Sequence, residues 1–523
     1  MKEIHRKYSP GVILFAAMLL VYFGAVCLIN FCAPPSYYDS DMYTDMRYAM
    51  EAWTHKSVFP EGWVFGNQLY FLSTPVLAAL FYGLTGNPEL SMGLSSTVMT
   101  IAVLWSFFWM LKPVIRSVEA RLAGLVLFMG MVLYFGDAWH DPGGWQLLFT
   151  MCSYYACYAM TVFLVFGCWL RSEQLGTRRY TLLLAAACLF SFGTGIQSLR
   201  QTAVMTLPLI GAEVLKMLFR KIRKLPFDKK SFAVTALVSA VNLLGLVTAR
   251  SLDLEQVEII GEMKLVPVSE WLLNIRQGIL LALSLVINHD VVSFGILAVL
   301  GLVSVAAVVW LLISAVQKQQ SAGILMLAVL VLSLLAILAV DVLTTMLVRS
   351  IYYFMLFPVV AFLAVWLYDA SGKWVRRGLT VFILAVFLLS CGRNLGSVCR
   401  DVRNRESEAA YAVSDYLQEN GYTTIYAAWN EGADVVIASD WNLQAGFWED
   451  QANPFFFYKY LCNLDIFRAD SKECVYLFHS AESAALAVEK AGAEGIEMTQ
   501  IRHFPQWDIY LYTAPVNLME VFW

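Results

Sequence analysis

Apolar stretches long enough to cross a lipid bilayer recur along most of the chain, and they limit its possible folds more than any other feature. A membrane-spanning helix needs roughly 20 mainly apolar residues. Such stretches follow one another from Gly11 almost to Arg400 with only short polar breaks. Of the 523 residues, 59% are hydrophobic and 15% are charged, whereas about a quarter of a soluble domain is charged. The sequence therefore predicts a polytopic α-helical membrane protein.

The amino-acid composition of the chain changes after Arg400. From Asp401 to Trp523 charged residues return at soluble density and no apolar run is long enough to span. We therefore divide the chain into a transmembrane domain, residues 1–400, and a small soluble α/β domain, residues 401–523. The net charge of -4 and the pI near 5.9 give no basic field of the kind that binds nucleic acid, so we exclude that class of partner.

About eleven spans are predicted from the apolar stretches. They are Gly11–Phe31, Leu90–Leu111, Leu122–Phe135, Trp145–Leu170, Tyr180–Leu199, Ala203–Phe219, Phe232–Ala249, Ser293–Val316, Ser321–Val340, Ile351–Tyr368 and Gly378–Ser390. Two shorter apolar segments, Leu69–Leu84 and Trp271–Asn288, are interpreted as outer juxtamembrane or re-entrant segments. The first contains Pro75, and spanning with the second would bury Arg276 in the membrane at a cost of a few kcal/mol.

The orientation follows from the loop charges, because cytoplasmic loops collect Lys and Arg. With a cytoplasmic N-terminus, these spans place every strongly basic loop inside: 112–121, 171–179, 220–230, 318 and 373–377. The soluble domain is then extracytoplasmic.

The first outer loop, residues 32–89, opens with acidic residues. After Pro35 the sequence to His55 can form an amphipathic helix that places Asp41, Asp45 and Tyr48 on one face. Carboxylates at this spacing repel each other unless a cationic group lies between them. The alternative is a solvated acidic helix start with Asp39 or Asp41 as N-cap.

Further polar residues lie at the outer ends of other spans. The second outer loop contains Asp137, His140 and Asp141, of which Asp141 is also explained by a turn with Pro142 and two glycines. Three other positions share this location: Arg200, His289 and Arg349. A guanidinium at the interface suits phosphate oxygens, whereas pairing of Arg349 with Asp341 is the alternative.

The soluble domain alternates predicted helices and strands. The predicted elements are helix Glu406–Gln418, strand Thr423–Trp429, helix Ala433–Ala438, strand Cys474–Phe478, helix Ala481–Ala491 and strand Ile509–Tyr512. The aromatic run from Phe455 to Tyr458, with Tyr460, either packs in the domain core, which is the expected use, or docks on the membrane region. Cys462 and Cys474 either form a disulfide or remain free thiols.

These residues together resemble the GT-C class of membrane glycosyltransferases. The resemblance is carried by Asp39, Asp41 and Asp45 before Arg47-Tyr48-Ala49, by the apolar segment Gln68–Leu72, by the segment from Arg349 to Pro358, and by an extracytoplasmic α/β tail. The segment Arg349 to Pro358 is similar to one in dolichyl-phosphate-mannose and aminoarabinose transferases. The chain departs from the family in having Asp41-Met42 where Asp-Glu is frequent, and in lacking the His-Pro-Pro before the next apolar segment.

The resemblance implies a transmembrane GT-C-like domain and roles for particular residues. Asp41 is the leading candidate for the catalytic carboxylate, followed by Asp45 and Asp39, and Asp137 would supply a second acidic position. Arg349, with Tyr352 and Arg200, would hold the donor phosphate. His140, Asp141 and His289 are further site candidates. A divalent cation, Mg or Mn, is left open as a cofactor with Asp41 and Asp137 as its candidate ligands.

The function expected from this resemblance is transfer of a sugar from a polyprenyl-phosphate donor to a glycan, lipid or protein acceptor of the cell envelope. Transfer would take place on the outer face of the membrane with inversion at the anomeric carbon. The alternatives are a multi-pass transporter or lipid flippase that uses the same carboxylates, and a non-catalytic envelope protein whose tail binds a partner. Internal repeats, which are common in transporters, are not found in the sequence.

Overall fold

The membrane region is built from long apolar helices. The computed structural model describes residues 9–135, 148–151, 153–257, 264–286, 290–318, 322–346 and 348–523. Within these residues ten helices are long and apolar enough to cross a bilayer: Pro10–Cys32, Pro88–Leu111, Val118–Phe135, Arg178–Gln197, Leu199–Ile222, Lys229–Ser251, Val291–Ser314, Ala322–Leu343, Ser350–Ala370 and Lys373–Glu419. The last consists of several consecutive helical segments: Lys373–Ser390, Cys391–Leu395, Gly396–Asn404, Arg405–Ser407 and Ala409–Glu419.

The described part of this region also contains shorter helices, among them Ser40–Thr54, Thr74–Thr85, Ala156–Trp169 and Trp271–Ser284. Thr74–Thr85 and Trp271–Ser284 contain 12 and 14 residues, and at about 1.5 Å per residue neither reaches across a hydrocarbon core of about 30 Å. This agrees with their interpretation as segments that do not span the membrane.

One predicted span is wrong as a continuous helix. Within the predicted span Trp145–Leu170, the helix begins only at Ala156. Before it, Met151 and Ser153 have φ angles of 53° and 44°, which are left-handed and end helical geometry. The Asn30 side chain accepts a hydrogen bond from the Met151 backbone N–H at 2.7 Å. Irregular backbone is tolerated at membrane depth where protein surrounds it, and every residue of Ala156–Trp169 is buried.

The soluble domain contains a five-stranded sheet. Its strands are β2 (Thr424–Ala428), β3 (Gln444–Trp448), β5 (Cys474–Phe478), β6 (Thr499–Phe504) and β7 (Ile509–Thr513), in the spatial order β3-β2-β5-β7-β6. β3, β2 and β5 are parallel, and β7 and β6 continue the sheet antiparallel. The central strands β2 and β5 are buried throughout, as expected when helices cover both faces of a parallel sheet.

The helices of this domain are Ala409–Glu419, Ala433–Ala438, Ala481–Ala493 and Leu518–Val521. The predicted helix Ala433–Ala438 and strand Cys474–Phe478 have the observed bounds. The sequence pattern predicts no strand at the positions of β3 and β6. The predicted fold class, a polytopic helical membrane protein with a small α/β domain, is confirmed.

Two glycines allow close contact between the helices Arg178–Gln197 and Lys229–Ser251. A methyl group at Gly245 would overlap the carbonyl oxygen of Phe192, and one at Gly195 would overlap the carbonyl oxygen of Asn242. Small residues at such crossings let helix backbones approach each other in membranes. The crossing also carries Asn242, whose side-chain oxygen accepts hydrogen bonds from the neighbouring helix Leu199–Ile222.

We predict that Gly245→Ala destabilises the membrane domain by about 1–3 kcal/mol, because the added methyl group must push two backbones apart. Thermal unfolding of the purified protein, followed by size-exclusion chromatography, measures the change. The matched control is Gly301→Ala, since a methyl group there meets no atom within 4 Å among the described residues. Equal unfolding temperatures for the two variants would contradict the packing argument.

Candidate active site

The first-loop helix, Ser40–Thr54, carries the predicted acidic residues. Asp39 is its N-cap and accepts a hydrogen bond from the Met42 backbone N–H at 2.8 Å, which satisfies one of the free donors at a helix start. Asp41 follows in the first turn. The predicted helix between Pro35 and His55 is therefore confirmed from Ser40 onward, and the capping role considered for Asp39 is confirmed too.

The soluble domain holds this helix through its backbone. The Tyr43 hydroxyl accepts a hydrogen bond from the Ala445 N–H at 2.9 Å and donates one to the Ala445 carbonyl oxygen at 3.3 Å. The Tyr43 ring also stacks on Trp441 at 5.5 Å. One turn earlier, the Asn430 N–H donates to the Ser40 hydroxyl at 2.8 Å. The position of the acidic helix is thus fixed by the edge strand β3 and the loop after β2.

A second contact joins the rest of the first loop to the soluble domain. The short strands β1 (Trp63–Val64) and β4 (Cys462–Asn463) pair antiparallel. Beside them the Tyr460 ring lies so close to Gly66 that any Cβ at that position would overlap it. Burial raises the pKa of Tyr460, and the charge of Asp41 raises it further. Tyr460 therefore lies close enough to Asp41 to sense its charge.

The positive charge of Arg349 lowers the pKa values of both Asp39 and Asp41. Burial raises the pKa of Asp41, the neighbouring Asp39 raises it further, and the Arg349 cation lowers it. Burial likewise raises the pKa of Asp39, while the Met42 N–H and Arg349 lower it. Two half-buried carboxylates and one guanidinium from positions about 300 residues apart thus lie in one electrostatic cluster. Such compensation is what keeps buried carboxylates charged near neutral pH.

Asp45 has a different environment. It is 1% exposed, and its carboxylate accepts a hydrogen bond from the Tyr70 hydroxyl at 2.5 Å. Tyr70 in turn packs edge-on against Tyr48 at 4.7 Å. The predicted face of Asp41, Asp45 and Tyr48 is therefore divided between two tasks: Asp45 and Tyr48 anchor the folded first loop, while Asp41 belongs to the charged cluster.

A second guanidinium is held by two tyrosines. Arg200 donates hydrogen bonds to the Tyr155 hydroxyl at 2.7 Å and to the Tyr352 hydroxyl at 3.0 Å, and its guanidinium lies 4.5 Å from the centre of the Tyr352 ring. Arg200 follows Ser198, whose hydroxyl accepts from the Arg200 N–H at 3.1 Å. Because Tyr352 lies three residues after Arg349, Arg200 and the Arg349 segment belong to the same region of the site.

The alternative pairing of Arg349 with Asp341 can be compared with the geometry. Asp341 accepts a hydrogen bond from the Tyr353 hydroxyl at 3.0 Å. The charge of Arg349 acts on Asp39 and Asp41. This electrostatic coupling favours the interpretation of Arg349 as part of the acidic cluster.

Four predicted site residues lie outside the described part of the chain: Asp137, His140, Asp141 and His289. Among the described residues no group of three His, Cys, Asp or Glu side chains could hold a metal ion. The metal hypothesis rested on Asp41 together with Asp137, so it stays a prediction.

Sequence reasoning named Tyr352 but missed the other tyrosines of the site. Tyr155 and Tyr158 lie beside Arg200, but in the sequence they belong to an apolar span and carry no signal. Tyr460 comes from the aromatic run of the soluble domain, for which docking on the membrane region was the less expected use. Cys462 and Cys474 are both free thiols.

Comparisons with known proteins support the fold. No protein-family model matches the chain, and no curated protein matches it either. ArnT from Cupriavidus metallidurans bound to undecaprenyl phosphate superposes with a TM-score of 0.51 at 11% identity, covering 97% of this chain and 98% of that one. Its apo state gives 0.51 at 12% identity and the same coverage. An Archaeoglobus fulgidus oligosaccharyltransferase in complex with zinc and sulfate gives 0.49 at 10% identity, covering 95% and 73%.

At these identities the likeness to ArnT concerns the fold alone. It extends over nearly the whole of both chains, membrane helices and soluble domain together. The predicted GT-C fold is therefore confirmed.

Proposed function

We propose that the chain is a membrane glycosyltransferase that moves a sugar from a polyprenyl-phosphate donor to an acceptor of the cell envelope. The observation that carries the proposal is the electrostatic coupling of Asp39 and Asp41 to Arg349, next to Arg200 and Tyr352, at the junction of the membrane and soluble domains. A carboxylate and phosphate-binding cations are the groups that this reaction needs. The binding of undecaprenyl phosphate by an ArnT of the same fold supports the choice of donor.

The donor would be held by its phosphate. Arg349 and Arg200 offer planar guanidinium groups, which match phosphate oxygens better than a lysine does, and Tyr352 and Tyr155 keep Arg200 in place. Arg349 lies directly before the helical segment Ser350–Ala370, a candidate membrane span. The polyprenyl tail could thus remain in lipid while the phosphate and sugar lie beside the carboxylates.

Asp41 is the proposed general base. Its carboxylate would take the proton of an acceptor hydroxyl while the hydroxyl oxygen attacks the anomeric carbon and the bond from that carbon to the phosphate oxygen breaks. The electron pair would leave with the polyprenyl phosphate, whose growing negative charge the two arginines offset. A single displacement of this kind inverts the anomeric centre.

The proposed orientation has the N-terminus in the cytoplasm and the soluble domain outside. Glu119 accepts hydrogen bonds from Ser9 and Tyr368, which gathers the N-terminus and two basic loops at one end of the helix bundle. The soluble domain contacts the first-loop helix at the other end. An excess of Lys and Arg marks the cytoplasmic end.

The position of the cluster also supports a transferase over a transporter. Transporters bind substrate and coupling ions near the middle of the bilayer, between discontinuous helices. Asp39 and Asp41 lie instead at the start of the first-loop helix, which is outside the candidate spans. The soluble domain contacts this end of the helix through the hydrogen bond from Asn430 to Ser40.

We predict that Asp41→Asn lowers transfer by about 10²–10⁴-fold, because an amide keeps the shape of the side chain but cannot accept the proton. Asp45→Asn should lower transfer less, since the amide oxygen of Asn can still accept a hydrogen bond from the Tyr70 hydroxyl. Transfer is measured in membranes supplied with a panel of labelled undecaprenyl-phosphate monosaccharides, and binding of undecaprenyl phosphate serves as the folding control. Full transfer by the Asp41 variant would remove it from the catalytic role.

A further prediction concerns Arg349→Ala. Binding of undecaprenyl phosphate by the purified protein should weaken roughly tenfold to a hundredfold, since a hydrogen bond between charged groups is lost. Because the Arg349 cation lowers the pKa of Asp41, its removal should raise that pKa. As the pH is lowered, the residual transfer activity of the variant should therefore be lost at a higher pH than the activity of the unaltered protein.

The control for this prediction is Arg349→Ala combined with Asp341→Asn. If Arg349 serves only to neutralise Asp341, the double variant recovers both binding and transfer, and the phosphate assignment fails. If Arg349 binds phosphate, the double variant remains as weak as Arg349→Ala.

The orientation predicts which surfaces a membrane-impermeant maleimide can reach. In a Cys399→Ser background, Glu482→Cys should be labelled on intact cells, whereas Arg178→Cys should be labelled only after lysis; both positions are exposed. Labelling of the second position on intact cells would reverse the proposed orientation.

A further inference from the structure

A cavity of about 240 Å³ lies between the first-loop helix and the soluble domain. The helix lines it with Tyr43, Arg47 and Glu51, which recur every four residues and so share a face. Asp41 and Asp45 lie toward the other face of the same helix. The cavity is therefore separate from the charged cluster.

The charges in the cavity do not favour an anion. Arg47 is engaged with Glu51 at 3.3 Å, and both side chains are only partly exposed. At the opening, the Asp465 carboxylate, whose side chain is 80% exposed, lies 3.5 Å from the Arg468 guanidinium. Each of these two arginines is thus engaged with a carboxylate, so the charges balance in pairs and the cavity suits a neutral, hydroxyl-bearing ligand better than an anion.

The remaining walls combine aromatic rings with amide side chains. Trp63 and Tyr458 supply rings, while Gln444 and Asn463 supply hydrogen-bonding amides. A sugar ring has C–H faces that pack on the negative face of an aromatic ring and hydroxyls that bond to amides and carboxylates. The volume is smaller than that of a site for a drug-sized ligand, about 300–1,000 Å³, and fits one sugar residue.

Two tyrosines connect the cavity to the catalytic carboxylate. Tyr458 and Tyr460 both line it, and the charge of Asp41 reaches both hydroxyls. One end of a ligand in the cavity therefore lies only a few side chains away from Asp41.

We propose that this interdomain cavity is a subsite for one sugar residue of a glycan acceptor, held by Glu51 and Asp465 while the next residue along the acceptor reaches Asp41. The subsite rests on the proposed function for its role as an acceptor site, but sugar binding in it does not depend on transfer. The ligand class is a neutral or amino sugar.

Saturation-transfer NMR on the full-length protein in lipid nanodiscs tests the proposal, because nanodiscs avoid sugar-based detergents. The probes are the methyl glycosides of glucose, galactose, mannose and N-acetylglucosamine, together with glucosamine. At least one should bind to the unaltered protein and equally to Asp41→Asn. Binding should weaken at least about tenfold in the variant Glu51→Gln with Asp465→Asn, since bonds to two carboxylates are lost.

The matched control is Glu449→Gln with Asp450→Asn, which removes the same charges from exposed positions of the same domain outside the cavity and should leave binding unchanged. If the unfolding temperature of the cavity variant falls, Arg47→Gln is used as a second cavity variant and should weaken binding as well.

Three results would overturn the subsite: no probe binds to the unaltered protein, binding survives in both cavity variants, or binding is lost in Asp41→Asn. Absence of transfer by the unaltered protein with every labelled donor, with sugar binding still mapped to the cavity, would instead overturn the proposed enzyme function and leave a sugar-binding site.

Discussion

The candidate site depends on the hydrogen bonds by which the soluble domain holds the first-loop helix in position. A helix of 15 residues is marginal in water when isolated, and this one lies above the membrane helices. Its capped start is held by Ser36, whose N–H and hydroxyl both donate to Glu408. Its first turns are held by the hydrogen bonds of Ser40 and Tyr43 to the backbone of the soluble domain. The tail is thus a structural part of the site as well as a neighbour of it.

The membrane domain contributes the other half of the site by fixing the arginines. Arg200 precedes the widened turn Thr202–Thr206, whose Thr202 and Thr206 hydroxyls donate to Asn242 of the adjacent helix at 2.9 Å each. The helix that carries Asn242, Lys229–Ser251, can approach the helix Arg178–Gln197 closely because Gly195 and Gly245 lie at their contact. In lipid, where no water can satisfy polar groups, such bonds fix the positions of backbone and side chains. The location of Arg200 therefore depends on packing far from any substrate.

The balance of charge gives the site its chemistry. Asp39 and Asp41 lose hydration on burial, which raises their pKa values, and Arg349 opposes the change. A carboxylate with a raised pKa is a stronger base than one in water, and it remains available as a base only while the cation compensates it. Arg349, the proposed ligand of the donor phosphate, thus also lowers the pKa of the carboxylate. The cavity on the other face of the helix has the opposite character, because its arginine is already paired.

The sequence by itself determined the elements whose cause is local. Hydropathy over about 20 residues predicted the spans, loop charge predicted an orientation, capping residues marked Asp39, and alternating patterns predicted most elements of the tail. The tertiary structure alone decided the break before Ala156, where contacts from Asn30 replace a helical bond. It also assigned Asp45 to Tyr70 and brought Tyr155, Arg200 and Tyr460 toward Asp41. A side chain's neighbours across the fold are set by packing between segments distant in the sequence, and no local pattern encodes that packing.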